Sequence, residues 1–113
     1  MNDKEKKLWQ WIKNGGLPGN WVRVDAVSFP DCIVHHGRTF LVELKVVENW
    51  REDPTLGLRS DQAVWIDDWR AKGGEAYVLA RIGGELFWFT DVIALRRRMA
   101  SPALAVPGPF HKG

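Results

Sequence analysis

Cysteine is nearly missing from this chain of 113 residues, and the single one, Cys32, has no intramolecular partner with which to form a disulfide. It stands in an apolar run, which fits a reducing compartment and a packing role. Long hydrophobic runs are also missing: no stretch approaches the ~20 apolar residues that a membrane span needs. The start, Met1-Asn2-Asp3-Lys4-Glu5-Lys6-Lys7, is charged where a secretory leader would be apolar, so the expected location is the cytoplasm. A strong excess of one charge is lacking too, since the net charge is only +2. Any contact with a polyanion must therefore come from local patches. Lys4, Lys6, Lys7 and Arg23 form one candidate group. Arg96, Arg97 and Arg98 form another, in a segment with no acid after Asp91, whereas Glu48 to Asp53 is acidic on balance. A solvated helix end is the plainer explanation of such an arginine run.

What is present, 45% hydrophobic and 27% charged residues, suits one compact domain with a core between layers. Asn2 to about Asn14 reads as a helix, with Glu5, Leu8, Trp9 and Ile12 on one stripe and Gly15-Gly16 ending it. Trp21 to Val24 reads as a short strand, followed by strands Cys32 to His35 and Thr39 to Lys45 around His36-Gly37. Ser60 to Lys72 reads as a second helix closed by Gly73-Gly74. Glu75 to Ile82 and Glu85 to Phe89 read as a hairpin around Gly83-Gly84, and Thr90 can cap a last helix through Arg98. Residues 1–101 are expected to form the domain, and 102–113 a flexible tail.

The chemistry concentrates at Pro30-Asp31 and Glu43-Leu44-Lys45. Side chains alternate along a strand, so Glu43 and Lys45 share one face while Val42 and Leu44 share the other. Two carboxylates held side by side repel unless a proton or cation lies between them, and oxygen donors suit a hard divalent ion. A lysine beside that ion can steady developing negative charge or position a water. These are parts for metal-assisted phosphodiester cleavage. The plainer explanations are a turn aspartate after proline and a solvated Glu-Lys strand pair. Against the second, Phe40, Leu41, Val42, Leu44, Val46 and Val47 mark an interior strand, where charge needs a reason.

Pro30-Asp31 with Glu43-Leu44-Lys45 resembles the signature of the PD-(D/E)XK nuclease superfamily. Leu58-Arg59-Ser60-Asp61-Gln62, then Trp65, then Gly73-Gly74 before an apolar strand, is similar to the small, stand-alone, phage-type virus-type replication-repair (VRR-NUC) nucleases and Holliday-junction resolvases. The resemblance spans roughly Phe29 to Ile82. It implies an α/β, restriction-endonuclease-like αβββαβ core, with a mixed central sheet flanked by helices and an extra C-terminal strand and helix. It further implies that Asp31 and Glu43 bind Mg2+ or Mn2+ through their side chains and Leu44 through its carbonyl. Lys45 becomes the catalytic lysine, as base or as charge stabiliser, and Gln62 supports the site from the second helix. Arg59 stands where the family often has serine, with Ser60 one position later. Glu5 matches a helix acid that many resolvases add to the metal site, although Asn2-x-x-Glu5 also reads as a capping box. Gln62 in a first turn can equally be a capping residue.

Register sharpens the expectation. If Asp31 and Glu43 are directly opposed, His35 falls opposite Thr39 and a three-residue loop, His36-Gly37-Arg38, remains; otherwise a bulge beside Asp31 is needed. Most of the seven tryptophans read as core. Trp50 differs, since it lies in a polar stretch after the catalytic strand and could stack on DNA, cover a dimer contact or pack locally. His35 and His36 point opposite ways in a strand and read as hairpin residues. The candidate nucleic-acid contacts are Lys4, Lys7, Arg23, Trp50, Arg59, Arg96 and Arg97. The expected activity is a divalent-metal-dependent endodeoxyribonuclease acting on branched DNA such as a Holliday junction, as a homodimer because one site cuts one strand. Its place, if phage-encoded, is the host cytoplasm. A nuclease of flaps or plain duplex, or a non-catalytic nucleic-acid-binding module, is the alternative.

Overall fold

The computed structural model describes residues 1–26, 29–97 and 100–111. Asn2 opens helix α1, Asp3–Trp11, by accepting the Glu5 backbone N–H at 2.8 Å. The helix runs on through a π-type turn, Ile12–Gly16, where Gly15 at φ 100° lets the chain leave. Strands β1 (Asn20–Arg23), β2 (Cys32–His35) and β3 (Thr39–Val47) follow. After them come helix α2 (Ser60–Ala71), strands β4 (Ala76–Ile82) and β5 (Glu85–Phe89), and helix α3 (Val92–Arg97). The expected helices and strands all form, with shifted ends. Asp91, rather than the expected Thr90, caps α3 by accepting the Ala94 N–H at 3.0 Å. Arg98, the expected end of that helix, lies outside the described residues, as does Lys112.

The five strands form one sheet in chain order. β3 and β4 are parallel and the other neighbours antiparallel. The crossover from β3 to β4 carries α2 onto one face, as a parallel pair requires. Leu41, Val47, Ala76, Val78 and Ala80 pack there with Ile66 of α2 and with Val92 and Leu95 of α3. Leu8 and Trp9 of α1, with Ile12 of the turn that follows, cover the other face, over Val34, Phe40, Val42, Leu44 and Leu79. β3 therefore sits in the middle of the sheet with helices over both faces.

The segment after α3 differs from the loose tail expected of its Pro and Gly content. A short 3-10 turn, Pro102–Leu104, leads to a bridge between Val106 and Trp88. The Phe110 ring lies within 5.1 to 6.4 Å of the rings of His36, Phe40, Trp88 and Trp21. Gly108 is needed for close approach, since a Cβ there would stand 2.6 Å from the Trp88 ring. Arg38 completes the clasp, pairing with Glu75 at 2.7 Å and donating to the Pro109 carbonyl at 3.1 Å.

Candidate active site

The hairpin of β2 and β3 sets the site. Cys32 pairs with Val42 and His35 with Thr39, leaving the three residues His36, Gly37 and Arg38 as the loop. Gly37 takes φ 74°, which a three-residue loop of this kind needs. Continued one step, this register brings Asp31 opposite Glu43. Here side chains take over from the ladder. The Asp31 N–H donates to Glu43 Oε1 at 3.2 Å, and the Leu44 N–H donates to Asp31 Oδ2 at 2.9 Å. A strand residue's N–H and C=O point to the same edge, so the Leu44 carbonyl faces this edge as well. No bulge is needed to bring the two acids together.

Glu43 is 2% exposed and Lys45 6% exposed, both on the sheet face that α2 covers. That face is therefore packed as well as polar, with Leu41 and Val47 flanking the two charges. The Lys45 ammonium lies 3.4 Å from Glu43 Oε2. Gln62, 8% exposed, reaches down from the first turn of α2 and donates to the same oxygen at 2.8 Å. Its own Oε1 accepts the Arg59 N–H at 3.0 Å. One side chain thus caps the helix and hydrogen-bonds the buried acid. Ser60, one position past the family's serine, is the first helical residue.

Burial pushes the Glu43 carboxyl up to about 8, and the charge of Asp31 adds to the rise, while Lys45 opposes it. Burial also raises Glu5, with Asp31 raising it and Lys45 lowering it. Glu5 stands on the same cleft as Asp31, Glu43 and Lys45, and its Oε2 accepts from the Asn2 side-chain amide at 2.8 Å. Its capping and cleft-facing roles coexist. Among the described residues no three His, Cys, Asp or Glu side chains converge tightly enough to cage an ion as they stand. The nearest arrangement is Asp31 and Glu43 with the Leu44 carbonyl, and Glu5 on the adjoining wall.

The cleft holds about 730 Å³ and is open to solvent. Besides these residues it is lined by Asp25, Phe29, Glu52, Asp53 and Arg59. Asp25, Glu52 and Asp53 escaped the sequence reading because isolated surface acids carry no spacing signal; only the acidic balance of residues 48–53 hinted at them. Asp53 accepts from the backbone N–H and the hydroxyl of Thr55, which holds its carboxyl below the usual range.

The expected nucleic-acid contacts are spread unevenly. Lys4, Arg23 and Arg59 lie near the cleft, and each is engaged by a carboxylate: Lys4 by Glu48 at 2.8 Å, Arg23 by Asp25 at 3.1 Å, Arg59 by Asp61 at 3.1 Å. Lys7 and Arg97 are exposed. Arg96 donates to the Leu58 carbonyl at 2.9 Å and so ties α3 to the start of α2. Trp50 packs edge-on against Phe87, with ring centres 4.8 Å apart, and against Phe89. Of the three readings of Trp50, local packing is the one these contacts display.

No family model and no curated protein matches the chain. Among solved structures it is similar to Hjc, a Holliday junction resolvase from the archaeal hyperthermophile Archaeoglobus fulgidus. The TM-score is 0.57 at 18% identity, over 79% of this chain and 74% of that one. The fold is restriction-endonuclease-like. The mixed five-stranded sheet with flanking helices agrees with the architecture that the Asp31, Glu43 and Lys45 pattern implied.

Proposed function

We propose that this protein is a Mg2+- or Mn2+-dependent endonuclease that hydrolyses DNA phosphodiester bonds and selects branched DNA such as a four-way junction. The observation that carries this reading is the meeting of Asp31, Glu43, Lys45 and Gln62 at one open cleft at the start of β2, on a resolvase-like fold. Burial and the Asp31 charge raise the Glu43 pKa, so a cation bound between the two carboxylates would take the place of the Glu43 proton. A hard divalent cation fits that donor set of two carboxylates and the Leu44 carbonyl, with Glu5 as the further oxygen donor. When bound, such an ion supplies Lewis-acid stabilisation of charge on the phosphoryl and leaving oxygens.

The chain's own groups supply the rest. Gln62 fixes the Glu43 carboxylate by a hydrogen bond, and the Leu44 N–H fixes that of Asp31, so neither has to reorganise when substrate enters. Lys45, held beside Glu43, presents a positive charge to the scissile phosphate or orients the attacking water. A polar, charged wall of this kind is poorly suited to a purely structural module, which could fill the same volume with apolar side chains at less cost.

One such cleft cuts one strand. Paired cuts across a junction therefore call for two copies related by a twofold axis, a homodimer. Within the superfamily the reading extends to the small VRR-NUC and resolvase-like nucleases of phage type, working in the cytoplasm of the cell or host. No helix among the described residues is long and apolar enough to cross a membrane. The test is cleavage of a labelled four-way junction against a matched linear duplex, with Mg2+, Mn2+ or chelator. Metal-dependent cutting of the junction in preference to the duplex is expected. Equal cutting of both would replace junction selectivity with a general flap or duplex nuclease, and binding without cutting under every condition would leave a DNA-binding module.

A further inference from the structure

Three of the cations best placed to meet phosphates around the cleft are already neutralised. Lys4, on the first turn of α1, has its ammonium 2.8 Å from Glu48 and 3.9 Å from Glu52, both in the loop that follows β3. Glu52 lines the cleft, as do Asn2 and Glu5 on either side of Lys4. This pair therefore spans the rim from α1 to the β3 side. Glu52 is itself positioned, because its other oxygen accepts the Glu48 N–H. Arg23 at the end of β1 is held by Asp25, which also lines the cleft, and Arg59 at the start of α2 by Asp61. Three segments thus repeat one arrangement, a cation at the rim with a carboxylate on it.

Resting on the nuclease reading above, we propose that Glu48 and Asp25 are affinity-setting residues, acting as phosphate surrogates that occupy Lys4 and Arg23 until substrate phosphates displace them. These pairs are largely exposed, and an exposed ion pair is weak and exchanges readily. A phosphate arriving alone gains little, because it must first take the cation from its partner. Each surrogate lowers affinity for any nucleic acid whose phosphates reach its cation, and the costs of the two separate pairs add.

The test is a double-mutant cycle on binding to fluorescently labelled four-way junction and linear duplex, in chelator and at low salt, with wild type, Glu48→Gln, Lys4→Gln and the double variant. Glu48→Gln is expected to tighten duplex binding by roughly two- to five-fold, the range of a surface ion pair. It should tighten junction binding by the same factor where a junction phosphate reaches Lys4. In the Lys4→Gln background the same change should have little effect. Asp25→Asn should repeat the pattern through Arg23. If Glu48→Gln tightens binding equally with and without Lys4, the acid merely repels DNA and the surrogate role is refuted while the nuclease reading stands. If the wild type binds neither DNA, both fail.

Discussion

Gln62 shows how one side chain can couple folding to the site. It caps α2 through Arg59 and holds Glu43 from above, so Gln62→Ala removes both bonds and leaves a buried carboxylate with one partner fewer. Urea unfolding should show a loss of about 1–3 kcal/mol, together with slower cleavage; unchanged stability would mean that α2 is not anchored here. Glu43 gives a pH signature in the metal-free protein. Its folded pKa, near 8, lies above the ordinary carboxylate value, so the folded state holds this proton more tightly than the unfolded chain does. That contribution is complete below about pH 4.5, the ordinary value, and is lost as pH rises through 8. In chelator, melting temperature should therefore fall between those limits more steeply for wild type than for Glu43→Gln. Parallel curves for the two proteins would remove Glu43 as the titrating group.

At the scale of elements, the hairpin of β2 and β3 was legible because side-chain parity leaves few options. Opposing Asp31 and Glu43 requires an odd loop, and residues 36–38 supply it. The strand β3 was legible too, since an apolar run interrupted only by Glu43 and Lys45 is costly unless those charges are used. The segment after α3 was not legible. It read as a loose tail, yet Phe110 finds its partners on β1, the β2–β3 hairpin and β5, and no local pattern encodes that. Gly108 similarly looks like flexibility and is a close contact with Trp88. Phe110→Ala should cost about 1–3 kcal/mol, less than a fully buried phenylalanine because the ring is half-buried. Gly108→Ala should also destabilise, by overpacking against Trp88. Denaturant midpoints unchanged from wild type in both variants would return the segment to the status of a tail.

Across the whole molecule, a central strand covered on both faces carries charge only beside the stretch leading into β2, where the sheet opens into the cleft. Nothing in the composition announces this, since a net charge of +2 hides an acidic cleft whose rim cations are paired. The order of Pro30-Asp31, Glu43-Leu44-Lys45 and Gln62 was readable because each residue falls in its own element. The cleft acids Asp25, after β1, and Glu52 and Asp53, after β3, come from two loops that meet only through the fold. The most direct measurement is single-turnover cutting of a four-way junction by wild type and by Lys45→Ala, each with Mg2+ and with chelator. Wild type should cut only with the metal, and Lys45→Ala should bind the junction yet cut it roughly a hundred- to a thousand-fold more slowly. Cutting by folded Lys45→Ala at the wild-type rate would contradict the assignment of this cleft as the catalytic centre.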